Sequence, residues 1–237
     1  MHDPRNVRVF CLPFSGGNIY SYRKLEDHTA ECIDLVPLEL PGHGKRLGAP
    51  LLVELEAMVK DIFQQIVPAM QAPYALYGHS LGGILGYLVS QKLAKADKPL
   101  PVHLFVSGRQ GPPIPSKDRD LHLLPQEEFI RRVVAYGGIP PEVAAEKDLM
   151  ELFVPILKAD FQAIAAYTYR PEPPLNLPIT VMIGADEDIT YAEALRWQDV
   201  TTQRIVVRQF PGNHFFIFDH LPEIGGIISQ ALSRSIT

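Results

Sequence analysis

The chain has 237 residues, of which 46% are hydrophobic and 21% are charged, and its formal net charge is -5 at pH 7. This length and apolar content are enough to bury a substantial core as one domain with an insertion. The negative charge argues against a nucleic-acid partner, because binding a phosphate backbone requires a clustered positive surface. No apolar run approaches the ~18 residues of a membrane helix, and residues 1–5 do not resemble a signal peptide, so we expect a cytoplasmic protein with no membrane partner.

Apolar, β-branched runs alternate with helix-like segments along the chain. The predicted strands cover residues 7–12, 33–38, 74–77, 103–107, 179–183 and 204–209. The predicted helices cover residues 55–70, the segment after Ser80, and residues 221–232. This alternation is typical of an α/β fold in which helices cover both faces of a mostly parallel sheet.

Residues 111–178 have a different character, with prolines at both ends, helical patterns within, and no convincing strand. We therefore predict a core formed by residues 1–110 and 179–237, with residues 111–178 inserted as a helical lid. Proline fixes φ, so the connections to the lid are expected to be stiff. Eight apolar residues recur at helical spacing within it: Phe129, Val133, Val134, Phe153, Ile156, Leu157, Phe161 and Ile164. We expect most of them to pack against one another and some to line the acyl pocket.

A Gly-x-Ser-x-Gly motif at residues 78–82 joins a predicted strand to a predicted helix. In that setting the serine sits in a tight turn, and its hydroxyl stands free above the sheet as a nucleophile. A glycine-rich turn with an incidental serine is the alternative, which the flanking strand and helix disfavour. We therefore predict that Ser80 is the nucleophile of an α/β-hydrolase fold.

A serine hydroxyl needs a base, and in α/β hydrolases the order along the chain is Ser, then Asp or Glu, then His. His214 follows the last predicted strand on a loop, which is where the base is expected. His220 also follows Ser80, but it lies in a turn where a surface or capping role is favoured. The pattern predicts His214 as the base.

Three carboxylates follow the strand at 179–183 and compete to orient that histidine: Asp186, Glu187 and Asp188. Only one can accept the Nδ1 hydrogen of the base. Asp188 is the first choice because it ends the loop just before the next helical run. Asp186 is the second choice and Glu187 the third.

Two backbone amides are needed to stabilise the negative oxygen that forms during acyl transfer. One comes from the residue after the nucleophile, which is Leu81, and the other from a loop after an early strand. The loop at residues 13–17 is rich in glycine, and Ser15 or Phe14 would donate from it, with Ser15 as the choice.

Five motifs together carry a family resemblance. They are Pro-Phe-Ser-Gly-Gly at 13–17, Leu-Pro-Gly-His-Gly at 40–44, Gly-His-Ser-Leu-Gly-Gly at 78–83, Gly-Ala-Asp-Glu-Asp at 184–188 and Pro-Gly-Asn-His-Phe-Phe at 211–216. The chain resembles type II thioesterases, the discrete enzymes that accompany polyketide synthases and nonribosomal peptide synthetases. The resemblance extends into the lid, through Tyr-Gly-Gly-Ile-Pro at 136–140 and Leu-Lys-Ala-Asp at 157–160. His43 is a departure, because the family often has arginine there.

The resemblance implies hydrolysis of acyl or aminoacyl thioesters from the phosphopantetheine arm of carrier proteins, as an editing step in antibiotic or siderophore biosynthesis. It implies no cofactor and no metal, and we expect a monomer. Four cations, Lys117, Arg119, Arg131 and Arg132, either dock an acidic carrier domain or form a solvated face. A carboxylester hydrolase or acyltransferase with the same residues is the enzymatic alternative. A non-catalytic carrier-binding protein is the third, although it would not need these catalytic residues.

Overall fold

Six strands form a single sheet in the computed structural model, which describes residues 7–70, 73–139 and 141–233. Its strand order is β2-β1-β3-β4-β5-β6, and every neighbouring pair is parallel. The strands are β1 (Val7–Leu12), β2 (Ile33–Pro37), β3 (Tyr74–His79), β4 (Leu104–Ser107), β5 (Ile179–Gly184) and β6 (Val206–Phe210). The segment 1–5, His2 and Pro140 of the lid motif lie outside the described residues.

Eight α-helices are described. They are α1 (Arg23–Glu26), α2 (Leu55–Ala69), α3 (Leu81–Lys95), α4 (Gln126–Ala135), α5 (Pro141–Ala145), α6 (Lys147–Ala165), α7 (Tyr191–Leu195) and α8 (Leu221–Ser233). Short 3₁₀ turns occur at Gly44–Arg46, Leu121–Leu123, Arg196–Val200 and Phe216–Phe218. None of these helices combines the length and the apolar character that a membrane crossing requires.

The sheet is covered on both faces, as its strand sequences predict. Every residue of β3, β4 and β5 is buried, which is typical of parallel strands between two helical layers. Alternate residues of β1 enter different cores: Phe10 packs with α2 and α3, whereas Cys11 packs with α1 and α8. Cys11 and Cys32 are both free thiols. The α/β-hydrolase fold class is confirmed.

The parallel arrangement brings the carboxyl ends of the strands to one edge of the sheet, where ligands of such folds usually bind. The loops after β1, β3, β4, β5 and β6 meet there. Between β4 and β5 the chain forms α4, α5 and α6, and a separate apolar cluster joins α4 to α6 through residues that include Phe129 and Val154. The only β-structure described within residues 111–178 is a single bridge from Leu175 to Thr201.

Candidate active site

Ser80 lies in a strained turn between β3 and α3. Its φ is 53° and its ψ is -113°, a backbone conformation that costs a non-glycine residue about 1–3 kcal/mol. The turn is tight because a Cβ on Gly78 would collide with the Gly82 carbonyl, and one on Gly82 would collide with the Leu12 carbonyl. The Ser80 N–H donates to the Ser107 carbonyl at 2.8 Å, which fixes the turn to β4. This is the geometry that the motif predicts for a nucleophile.

His214 is hydrogen-bonded to a carboxylate, and that carboxylate is Glu187. The His214 Nδ1–H donates to Glu187 Oε2 at 2.8 Å, while Glu187 Oε1 accepts the Gly184 N–H at 2.7 Å. The Glu187 side chain is only 1% exposed. A buried carboxylate on Nδ1 fixes the tautomer that leaves Nε2 free to accept a proton.

The sequence-based choice of Asp188 as the partner of His214 is corrected by this geometry. The Asp188 side chain is 83% exposed, and its carboxylate lies 3.1 Å from Lys117 Nζ. Asp186 is exposed as well, and its backbone N–H donates to the Gly212 carbonyl. The bend after β5 therefore turns the residues on either side of Glu187 outwards, and only the longer glutamate reaches the base.

His79, which precedes Ser80 in the chain, is a buried neighbour of the base. Its ring centroid lies 4.7 Å from that of His214, and its Nδ1 lies 3.0 Å from Ser107 Oγ. Burial, reinforced by the nearby His214, holds the pKa of His79 well below its usual value. The ring is therefore neutral at pH 7 and does not compete electrostatically with an imidazolium at His214.

Ser80 and His214 line the same cavity, although the described residues contain no hydrogen bond between their side chains. Catalytic hydrogen bonds in structures without substrate are often long and tighten only when substrate binds. A cavity shared by the nucleophile and the base is the arrangement that such tightening requires.

The two predicted donors of an oxyanion hole are at the same edge. Leu81 is the first residue of α3, where amides have no acceptor within the helix, and Ser15 lines the cavity after β1. Neither amide donates a hydrogen bond within the described residues. The Ser15 hydroxyl is also buried, and no described residue forms a hydrogen bond with it. Both amides are therefore available to a ligand oxygen.

The cavity has a volume of about 470 Å³, within the range of small-molecule sites. Five apolar residues predicted to lie in the lid line it: Val133, Phe153, Leu157, Phe161 and Ile164. Phe129 is instead fully buried inside the lid cluster, and Val134 and Ile156 are not part of the wall. The cavity thus has an apolar wall from the lid and a polar one from the loops after the strands.

Comparison with known proteins gives the family. The family model of the thioesterase domain matches residues 7–232. The chain belongs to the thioesterase family. Gramicidin S biosynthesis protein GrsT of Aneurinibacillus migulanus is 32% identical over 220 residues, which cover 92% of this chain and 86% of that protein.

Two solved structures have the same fold as this thioesterase over nearly all of the chain. ClbQ from the colibactin NRPS/PKS pathway superposes with a TM-score of 0.91 at 33% identity, covering 97% of this chain and 98% of that one. The type II thioesterase BorB from the borrelidin biosynthetic cluster gives a TM-score of 0.88 at 27% identity, with 97% and 94% covered.

In this thioesterase a carboxylate on α6 holds the loop that contains Ser15. Asp160 on α6 is fully buried, and its Oδ2 accepts the backbone N–H of Gly16 at 2.8 Å and His43 Nε2–H at 3.0 Å. His43 Nδ1 lies 3.0 Å from the Pro41 carbonyl, so both ring nitrogens face acceptors and the imidazolium satisfies both. Burial lowers the pKa of His43, but Asp160 outweighs it, and the pKa lies above its usual value.

We expect Asp160→Asn to lower kcat with a small soluble thioester by about tenfold or more, approaching the loss seen when an oxyanion donor is removed. Asparagine keeps an oxygen for the Gly16 N–H but loses the charge that binds the protonated His43, so the Gly16 loop is held less firmly. The matched control is Glu151→Gln, an exposed residue on the same helix. Melting temperature is measured alongside, because an unchanged kcat with a lower melting temperature would show that Asp160 has only a structural role.

The four cations considered for docking divide into two pairs. Lys117 and Arg132 border the cavity and face Asp188 and Asp118, at 3.1 and 3.6 Å. Arg119 and Arg131 are exposed. Docking of a carrier domain on any of the four stays a prediction.

Proposed function

We propose that this thioesterase hydrolyses acyl or aminoacyl thioesters on the phosphopantetheine arm of carrier proteins, using Ser80, His214 and Glu187. The observation that supports it most is the strained Ser80 turn, which shares one cavity with a buried Glu187–His214 pair. The similarity to GrsT and ClbQ favours a role beside a nonribosomal peptide synthetase or polyketide synthase. The role is removal of acyl groups that block the carrier.

In the first half of the reaction, Ser80 Oγ attacks the thioester carbonyl as His214 Nε2 takes its proton. Glu187 keeps the imidazole oriented and stabilises the positive charge that forms on it. The amides of Leu81 and Ser15 bind the negative oxygen. The tetrahedral intermediate then expels the phosphopantetheine thiol, which receives the proton from His214, and an ester is left on Ser80.

In the second half, water attacks the ester on Ser80 while His214 takes a proton from it. Collapse of the second intermediate returns that proton to Ser80 Oγ and releases the acid. No electron acceptor or further reactant is consumed. The same chain residues therefore serve both halves of the cycle.

The size of the cavity supports an editing role. About 470 Å³ lies in the lower half of the ~300–1,000 Å³ range of ligand sites, which suits a short or medium acyl group better than a long peptide. Family membership favours thioesters over the carboxylester and acyl-transfer alternatives. A purely binding role would leave the strained turn and the buried Glu187–His214 pair without a purpose.

The proposal is tested with one acyl group presented in three forms: on a holo carrier protein, as an N-acetylcysteamine thioester, and as an ethyl ester. We expect kcat/KM to be highest for the carrier form and lowest for the ester, by about tenfold or more at each step, because the arm and the carrier add binding contacts. Hydrolysis is followed by the mass of the carrier and by released acid. Equal rates for ester and thioester would contradict the assignment.

A further inference from the structure

A buried cation lies beside the active site. Arg109 follows β4 and is only 5% exposed, yet its Nε has no hydrogen-bond partner among the residues that the structure describes. Within residues 7–70, 73–139 and 141–233 its guanidinium forms neither an ion pair nor a hydrogen bond. Arginine is rarely buried unless it is paired, because an unpaired charge is costly in a low-dielectric interior.

The position of Arg109 relative to the reacting groups is fixed from several sides. It lines the cavity that contains Ser80 and His214. A Cβ on Gly83, three residues beyond Ser80 in α3, would lie 3.3 Å from Arg109 Cβ. The indole N–H of the fully buried Trp197 donates to the Arg109 carbonyl at 2.9 Å. The backbone of Arg109 is therefore anchored about one helical turn from the nucleophile.

The surroundings do not neutralise this charge. Burial lowers the pKa of Arg109 to about 10, so the guanidinium remains protonated at pH 7. Burial also raises the pKa of the neighbouring Tyr167 to about 12, although the charge of Arg109 acts to lower it. The Tyr167 hydroxyl is therefore neutral at pH 7. The negative charge of Asp118 acts to raise the pKa of Arg109, but the Asp118 carboxylate lies 3.6 Å from the Arg132 guanidinium and forms an ion pair with it.

We propose that Arg109 binds a carboxylate at the far end of the acyl chain, so that this site accepts short dicarboxylic acids linked through one thioester. A guanidinium presents parallel N–H groups that match a carboxylate, and charge-assisted pairs of this kind are strong where water is excluded. The buried side chain of Gln110, which also lines the cavity, adds a polar neighbour. This inference rests on the proposed function and names the substrate class of the same site.

The test compares acyl groups of equal shape with and without the carboxylate. The pairs are malonyl with isovaleryl, and glutaryl with 5-methylhexanoyl, each as an N-acetylcysteamine thioester. We expect kcat/KM to favour the acid in at least one pair by about tenfold or more, the size of a hydrogen bond to a charged group. The absence of any preference for the acid in both pairs would overturn the proposal.

Variants separate recognition from structure. We expect Arg109→Met to abolish the preference for the acid while the neutral thioesters are still hydrolysed, and Arg109→Lys to restore part of it. Arg131→Met, a cation on the surface of α4, serves as the control and keeps the wild-type ratio. If the preference for the acid survives in Arg109→Met, a residue other than Arg109 recognises the carboxylate. Neutral thioesters also report separately on the proposed hydrolase function, which fails if neither member of a pair is hydrolysed by the wild type.

A measurement on the unmodified protein keeps the proposal testable if Arg109→Met does not fold. Glutaramate should inhibit hydrolysis of a neutral thioester at least about tenfold more strongly than 5-methylhexanamide, because the two amides have the same shape and only glutaramate offers a carboxylate to Arg109. Equal inhibition by the two amides would count against an anion subsite.

Discussion

We expect Glu187→Gln to lower kcat by about three to four powers of ten, because the acid that orients the catalytic histidine loses its charge. Glutamine keeps the size of the side chain and an oxygen for the Gly184 N–H, so the fold is retained. Its amide cannot stabilise the imidazolium at His214, and it allows the wrong tautomer. The measurement is kcat with a soluble thioester, together with circular dichroism.

The matched control is Asp188→Asn, which removes a charge one residue away. Because Asp188 is exposed and paired with Lys117, we expect kcat to remain within about threefold of wild type, as for other surface substitutions. Asp186→Asn is expected to behave in the same way. A large loss of kcat in Asp188→Asn with little loss in Glu187→Gln would show that Asp188, and not Glu187, orients His214.

Ser80→Ala should lower turnover by at least about four powers of ten, because no other group can accept the acyl chain. The serine side chain is partly exposed at the cavity and contributes little to the core, so the melting temperature should change by only a few degrees. Rates are measured with purified protein and excess thioester. Activity above about a hundredth of wild type would contradict the assignment of Ser80 as nucleophile.

Local sequence patterns were sufficient for most of the fold. All six strands lie close to where their apolar, β-branched runs predicted them. In β3, β4 and β5 the pattern is clearest, because parallel strands buried on both faces have no polar face to interrupt it. β3 extends through His79, beyond its predicted end, because it continues to pair with β4 up to Ser107. β6 begins at Val206 rather than 204.

The acid was harder to predict than the nucleophile or the base. The motif predicts Ser80, because its glycines are required by close backbone contacts. The order of residues along the chain and the position on a loop after the last strand predict His214. Three consecutive residues at 186–188 share the same chemistry, and only the bend after β5 decides which one points inwards. Side-chain length then matters, because Glu187 must reach both the Gly184 N–H and His214.

The contact that Asp160 makes could not be predicted from the local sequence pattern. Asp160 falls on the same helical stripe as Leu157, Phe161 and Ile164, and a carboxylate on an apolar stripe is a signal for a buried partner. The sequence does not identify that partner, because Gly16 lies more than a hundred residues away. Helix α6 is thereby tied to the loop that offers the Ser15 amide.

The most direct test of the account is the rate at which a fluorophosphonate labels the protein, followed by intact mass and peptide mapping. We predict one adduct, on Ser80, that forms in proportion to the loss of thioesterase activity and is absent in Ser80→Ala. Labelling should be slowed strongly by Glu187→Gln and scarcely by Asp188→Asn, because only Glu187 activates the serine through His214. An adduct on another residue, or slow labelling in Asp188→Asn with normal labelling in Glu187→Gln, would contradict the Ser80–His214–Glu187 assignment.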